Sequence, residues 1–207
     1  MPRRSYSNTL EAAIRAHFGL TQQELARYLG ISRALVTHIE AGRRLPASTI
    51  NKRLFWLGDL LPAPEGYGPV APDFALPPLP IANAEALLAV LPDFGPLPTA
   101  TLRKRQRQAG AQAAALRWAL HRENKQSMLH QRRQWALTVL QGAPPPAFAT
   151  DADQVRFEHW LHSLAADVVA AAPTPAATAA RALAVLRLLV LDVEVAGLAR
   201  LLNTTTA

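Results

Sequence analysis

Between Leu20 and Pro46 the chain reads Leu-Thr-Gln-Gln-Glu-Leu-Ala-Arg-Tyr-Leu-Gly-Ile-Ser-Arg-Ala-Leu-Val-Thr-His-Ile-Glu-Ala-Gly-Arg-Arg-Leu-Pro, and its start and stop signals leave little conformational freedom. Thr21 is placed to N-cap a helix, and Glu24, three residues on, can reach back to the N–H of the cap, the reciprocal pairing of a capping box. A helix therefore begins at Gln22. Leu25, Ala26 and Leu29 fall on one stripe of it, and Gly30 follows where the chain must leave through positive φ. Ser32 is a second N-cap, and Val36 and Ile39 give the next helix its inward side before it ends near Gly42. What remains outward on this second helix is Arg33, Ala34, Thr37 and His38.

Two short helices across a glycine turn, with a polar and basic face uncovered, have the size and shape of a major-groove reader. The stretch resembles the Cro/repressor-type (Xre) helix-turn-helix family over about residues 6–61. The match lies in Gln22, Glu24, Leu25 and Ala26, the turn Gly30, the Ile-Ser opening of the second helix, and Ile39, Glu40, Gly42 and Pro46. The resemblance implies a lambda-repressor-like domain in which the second helix enters the major groove while the first crosses the backbone. It also implies roles: Gln22 near a phosphate, Ser32, Arg33, Ala34, Thr37 and His38 toward bases or adjacent phosphates, and Arg43 and Arg44 on the DNA backbone. Arg3 and Arg4 are expected to form a minor-groove or backbone arm where ordered.

Charge distribution supports this placement. The net charge is +7, but residues 1–61 and 99–142 carry +5 and +8, while 62–98 and 143–207 carry −4 and −2. The first basic block coincides with the helix pair that requires phosphate contacts. The second, from Arg103 to Arg133, has two readings: a nucleic-acid surface that widens the footprint, or, the favoured one, the wet side of a long helix, partly neutralised by acids elsewhere. Half of the 207 residues are apolar, enough for a folded core, and the chain has no cysteine, which excludes disulfides and thiolate metal sites. No signal-peptide run opens the sequence, and the most apolar stretch, 182–202, is interrupted by Arg187, Asp192, Glu194 and Arg200. A cytoplasmic chain that does not span a membrane is expected.

The periodicity predicts an all-α protein in three parts. Residues 1–61 hold the helix pair, with Leu10, Ala13, Ile14 and Phe18 marking a helix before it and Ile50, Leu54, Leu57 and Leu60 one after it. Phe18, Tyr28, Phe55 and Trp56 are expected to complete that core or dock it on the remainder. Residues 62–98 contain 10 of the 17 prolines and no basic residue, the composition of a stiff, extended linker, with a short helix at about 82–91 and surface contacts through Phe74, Leu76 and Phe94. Residues 99–207 read as a helical bundle. One long helix covers 99–141, with a bend or turn near Asn124 left open; a second opens at Asp151 and Gln154; a last begins with Thr174 as cap and Pro175 as first residue. The last is rich in Leu, Val and Ala on nearly every side, so it is expected to be buried all round, as the bundle centre or as a dimer seam.

These readings make the chain a sequence-specific DNA-binding regulator acting on double-stranded DNA as a homodimer, with the C-terminal helices open to a protein partner or small effector. The alternative is a protein-interaction module, antitoxin-like or a scaffold, in which those helices bind a partner and DNA binding is secondary. His159, His162 and Glu158 share a helix, and His121 and His130 lie elsewhere, but no repeated ExxH pattern backs a metal. No phosphate loop or nucleophile motif is present, so neither cofactor nor catalytic residue is assigned and an enzyme is not expected.

Overall fold

The computed structural model describes residues 9–75, 97–148 and 150–204, together with 79, 88, 89, 92, 94 and 95. Seven helices and no strand occur among them: α1 (Leu10–Phe18), α2 (Gln22–Leu29), α3 (Arg33–Glu40), α4 (Ser48–Asp59), α5 (Thr99–Gly142), α6 (Asp151–Ala170) and α7 (Pro175–Thr204). The chain is all-α, with the helix-turn-helix pair at its amino-terminal end, as the periodicity requires. Arg3, Arg4 and Leu76 lie outside the described residues, as does most of the segment 82–91.

Compactness divides the chain differently from its composition. One unit contains the residues up to Ala75 and Met128–Ala172; the other contains Leu76–Ser127 and the residues from Pro173. Helix α5 contributes to both, its residues after Ser127 belonging to the first. It runs unbroken through Asn124. The polar run Glu123–Ser127 contains no proline or glycine, and residues such as Asn and Ser cost a helix only tenths of a kcal/mol each.

In the first unit the local signals act as read. The Thr21 hydroxyl accepts from Glu24 N–H at 3.2 Å and the Glu24 carboxylate accepts from Thr21 N–H at 2.6 Å, closing the capping box. Gly30, at φ 71°, turns the chain after α2, and Ile31 N–H returns to the Ala26 carbonyl at 3.1 Å. Gly68 is required for a different reason: a Cβ there would stand 1.9 Å from the Leu60 carbonyl oxygen. The core joins Ile14 and Phe18 of α1, Leu25 and Leu29 of α2, Val36 of α3, Leu54 and Leu57 of α4, Leu140 of α5, and Trp160 and Leu164 of α6. The helix pair thus shares one core with residues 128–172. Tyr28 is buried and Trp56 donates its indole N–H to the Pro144 carbonyl at 3.0 Å, whereas Phe55 is exposed and completes nothing. Of the expected surface contacts of the proline-rich stretch, Phe74 packs near Trp135 with the Arg132 guanidinium 5.3 Å from its ring, while Phe94 is exposed.

Among the described residues of the second unit, α5 and α7 form an antiparallel pair. Ala109, Ala113 and Leu120 of α5 pack against Leu188 and Leu191 of α7, and Arg105–Glu194 and Arg117–Asp192 ion pairs flank the contact. Ala109, Ala113 and Leu120, 4 and 7 residues apart, lie along one side of α5. Within one chain α7 is not a bundle centre buried all round: Leu183, Leu186 and Val190 are 67%, 59% and 66% exposed, which leaves the dimer-seam reading of this helix open. Physically, one helix can cover only one side of another, and among the described residues of this unit little else is available.

Candidate nucleic-acid interface

Helix α3 is anchored by its inner side. Val36 and Ile39 are 1% and 3% exposed, which leaves Arg33, Ala34, Thr37 and His38 on the outside of the same two turns, all exposed. The Ser32 hydroxyl is itself exposed but accepts from Leu35 N–H at 3.2 Å, so its first role is the helix cap. Arg43 and Arg44 follow in the exposed turn after α3, where Gly42 takes φ 67°. Arg33, Arg43 and Arg44 make no ion pair among the described residues. Their charge is directed to solvent, close to the positive end of the α3 dipole in the case of Arg33.

A chain of polar contacts ties this face to the helices behind it. Gln22 donates from Nε2 to Glu40 Oε2 at 2.8 Å, and its Oε1 lies 3.2 Å from the Thr37 hydroxyl, which also has the Arg33 carbonyl at 3.1 Å. Glu40 is 6% exposed and accepts from Arg15 Nη2 at 3.1 Å; Arg15 Nη1 donates to the Leu20 carbonyl at 3.3 Å. A buried carboxylate is tolerated only when paired and hydrogen-bonded, and Glu40 has both a guanidinium and an amide. Arg15 carries no motif of its own in the sequence, and Glu40 enters there only as a point of resemblance. The signal was present: Glu40 lies four residues after Val36, on the inward stripe, where a charge requires a partner.

Beside Gln22, Gln23 and Arg33 a cleft of about 940 Å³ opens, bounded on its other side by Phe74, Met128, Leu129 and Arg132. Arg132 donates to the Ala16 carbonyl at 2.9 Å, and Arg133 pairs with the buried Glu24. Arg105, Arg117, Arg132 and Arg133 of the second basic block are thus engaged within their own units. His17 lies in the same region, edge-on to Phe18 and Trp135; burial, with the Arg132 charge adding to it, holds its pKa below the ordinary 6.5. Burial opposes the charge of Asp153, but hydrogen bonds from Arg156 and Arg53 and the Arg53 charge outweigh it and hold the carboxyl below its ordinary value. Among the described residues no three His, Asp or Glu side chains gather as a metal site needs, and no helix is long and apolar enough to cross a membrane.

A capped helix, a glycine turn and a second capped helix with a cationic outer row define a domain of the DNA-binding helix-turn-helix class. Residues 12–52 match the family model described as helix-turn-helix, inside the stretch 6–61 that resembles the Xre type. No curated protein and no solved structure gives a significant match.

Proposed function

We propose that the chain is a sequence-specific transcriptional regulator, a repressor where its operator overlaps a promoter, that inserts α3 into the major groove as a homodimer in the cytoplasm. The observation that carries this reading is the single outward row of Arg33, Ala34, Thr37 and His38 on a helix whose other side is locked by Val36 and Ile39. Arg33 is assigned to a base edge, where a guanidinium bonds both O6 and N7 of guanine. Gln22, Ser32, Arg43 and Arg44 are assigned to phosphates, with Arg3 and Arg4 as an arm; Thr37 and His38 contact bases or the adjacent backbone. Two copies would read half-sites about one helical turn apart on a palindromic operator.

The test is selection of bound duplexes from random genomic fragments by the purified chain, followed by titration of the selected site and a scrambled one. A palindromic consensus whose preference disappears in Arg33→Ala supports the reading. Equal affinity for every duplex, unchanged by that substitution, refutes it.

A further inference from the structure

Helix α7 carries two apolar rows, and only one of them is covered. Ala184, Leu188, Leu191 and Val195, spaced 4, 3 and 4 residues apart, belong to the core of the second unit. A second row runs Ala176, Ala179, Leu183, Leu186, Val190 and Val193 in alternating steps of 3 and 4, the spacing with which helices interlock side chains along a shared seam. At 3.6 residues per turn it lies roughly 140° around the helix from the first. Its front is open: Ala176 and Ala179 are exposed, as are Leu183, Leu186 and Val190. Gly197, the next position in the series, is buried with Leu88 3.1 Å from where a Cβ would stand, so the open run ends where the chain covers itself. An exposed apolar strip of this length on a folded domain marks a contact surface.

We infer that this row is the surface through which two copies of the chain pair, α7 against α7 in antiparallel sense. The inference gives a location to the dimer of the proposed function and rests on that reading. Charge selects both the occupant and the direction. Arg187 and Glu194, seven residues apart, stand along one edge of the row; Arg187 is exposed and has no ion pair among the described residues, and Glu194, whose two oxygens each accept from Arg105, keeps 29% of its side chain open with further acceptor capacity. In an antiparallel pair this edge meets itself running the other way. Arg187 of each copy then faces Glu194 of the other, with the two-fold axis between Val190 and Leu191. In a parallel pair the edge would instead meet Ala182, Leu189 and Ala196, which offer Arg187 no anion. A second copy is thus a partner that supplies both the matching row and the matching charge order.

The test uses the full chain in sedimentation equilibrium, with two further variants as an independent readout. Wild type is expected to be a dimer, and Leu186→Glu to weaken self-association by about tenfold or more while keeping its far-ultraviolet helicity, because Leu186 lies outside the core. Since the chain lacks cysteine, Val190→Cys introduces a single thiol beside the proposed axis and should close a covalent dimer on mild oxidation. Ala176→Cys should not, being about 40 Å from its counterpart in the antiparallel pair. A monomeric wild type, including one that dimerises only with another protein, overturns the proposal. So does an undiminished Leu186→Glu dimer or equal cross-linking at 176 and 190; if Leu186→Glu loses helicity, the two thiols decide alone. A monomer that still discriminates duplexes through Arg33 sinks the seam but not the DNA reading, whereas a dimer indifferent to DNA sequence does the reverse.

Discussion

Arg133 of α5 donates to the one carboxylate oxygen of Glu24 that the α2 capping box leaves free. The carboxylate is therefore shared: Oε2 holds the first turn of α2, and Oε1 binds a helix more than a hundred residues away in sequence. Glu24 is 4% exposed at its side chain and Arg133 15%, so solvent screens the pair little. Removing one partner of such a pair leaves a buried charge uncompensated, at a cost of about 3 to 5 kcal/mol. Arg133→Ala is expected to lower the urea midpoint accordingly, with the m-value unchanged. A shift below about 1 kcal/mol, the range of exposed pairs, would show that water already serves Glu24.

The helix-turn-helix pair is not expected to fold as residues 1–61 alone. Its core includes Ala136, Leu140, Phe157, Trp160 and Leu164, all from beyond that boundary, and Trp160 is 2% exposed. Trp160→Ala should cost about 3 to 5 kcal/mol, and the 1–61 fragment should lack a cooperative thermal transition by circular dichroism. A sharp melt of the fragment would contradict the shared core.

On DNA, Arg33 and Arg43 are expected to separate. Arg33→Ala should narrow the gap between preferred and scrambled duplexes by about 1 to 3 kcal/mol. Arg43→Ala should weaken binding to both alike and reduce the salt slope by about 1. Fluorescence anisotropy at three salt concentrations measures both, and identical behaviour of the two variants would remove the assignment of Arg33 to a base.

Acid pH should destabilise the first unit through His17. Its folded pKa lies below the ordinary 6.5 because burial and then Arg132 disfavour the imidazolium, so the unfolded chain takes up this proton first. Stability from this group is complete above about pH 6.5 and is lost as pH falls from there toward the folded value. His17→Gln should flatten the melting temperature between pH 7.5 and 5.5 relative to wild type. An equal slope in the variant would assign the loss to other groups. Asp153, also held below its ordinary value, acts only lower, with stability present above about pH 4 and lost as the solution is acidified further.

Much of this was legible in the chain. Caps and glycines act within four residues, so Thr21, Glu24, Gly30 and Ser32 could be read locally, and the bounds of α2 and α3 followed. The exposure of Arg33, Ala34, Thr37 and His38 followed from the same periodicity. What was not legible depends on which distant elements meet. Nothing local to Glu24 names Arg133 as its partner, and nothing local to Leu140 or Trp160 assigns them to the amino-terminal core. For α7 the pattern counted apolar residues correctly but could not say whether the chain itself supplies the neighbours that cover them, and within one chain Leu186 stands outside.

The sharing of one core between residues near the start of the chain and residues beyond 128 bears on how the molecule is made. The ribosome releases Leu25 and Val36 roughly a hundred residues before Leu140 and Trp160, which at about 5 to 20 residues per second is an interval of about 5 to 20 s. Throughout it the nascent amino-terminal helices lack the part of their apolar cover that Leu140 and Trp160 supply. A chaperone binding there, or a pause in translation before Trp160, would set how much newly made protein matures rather than aggregates.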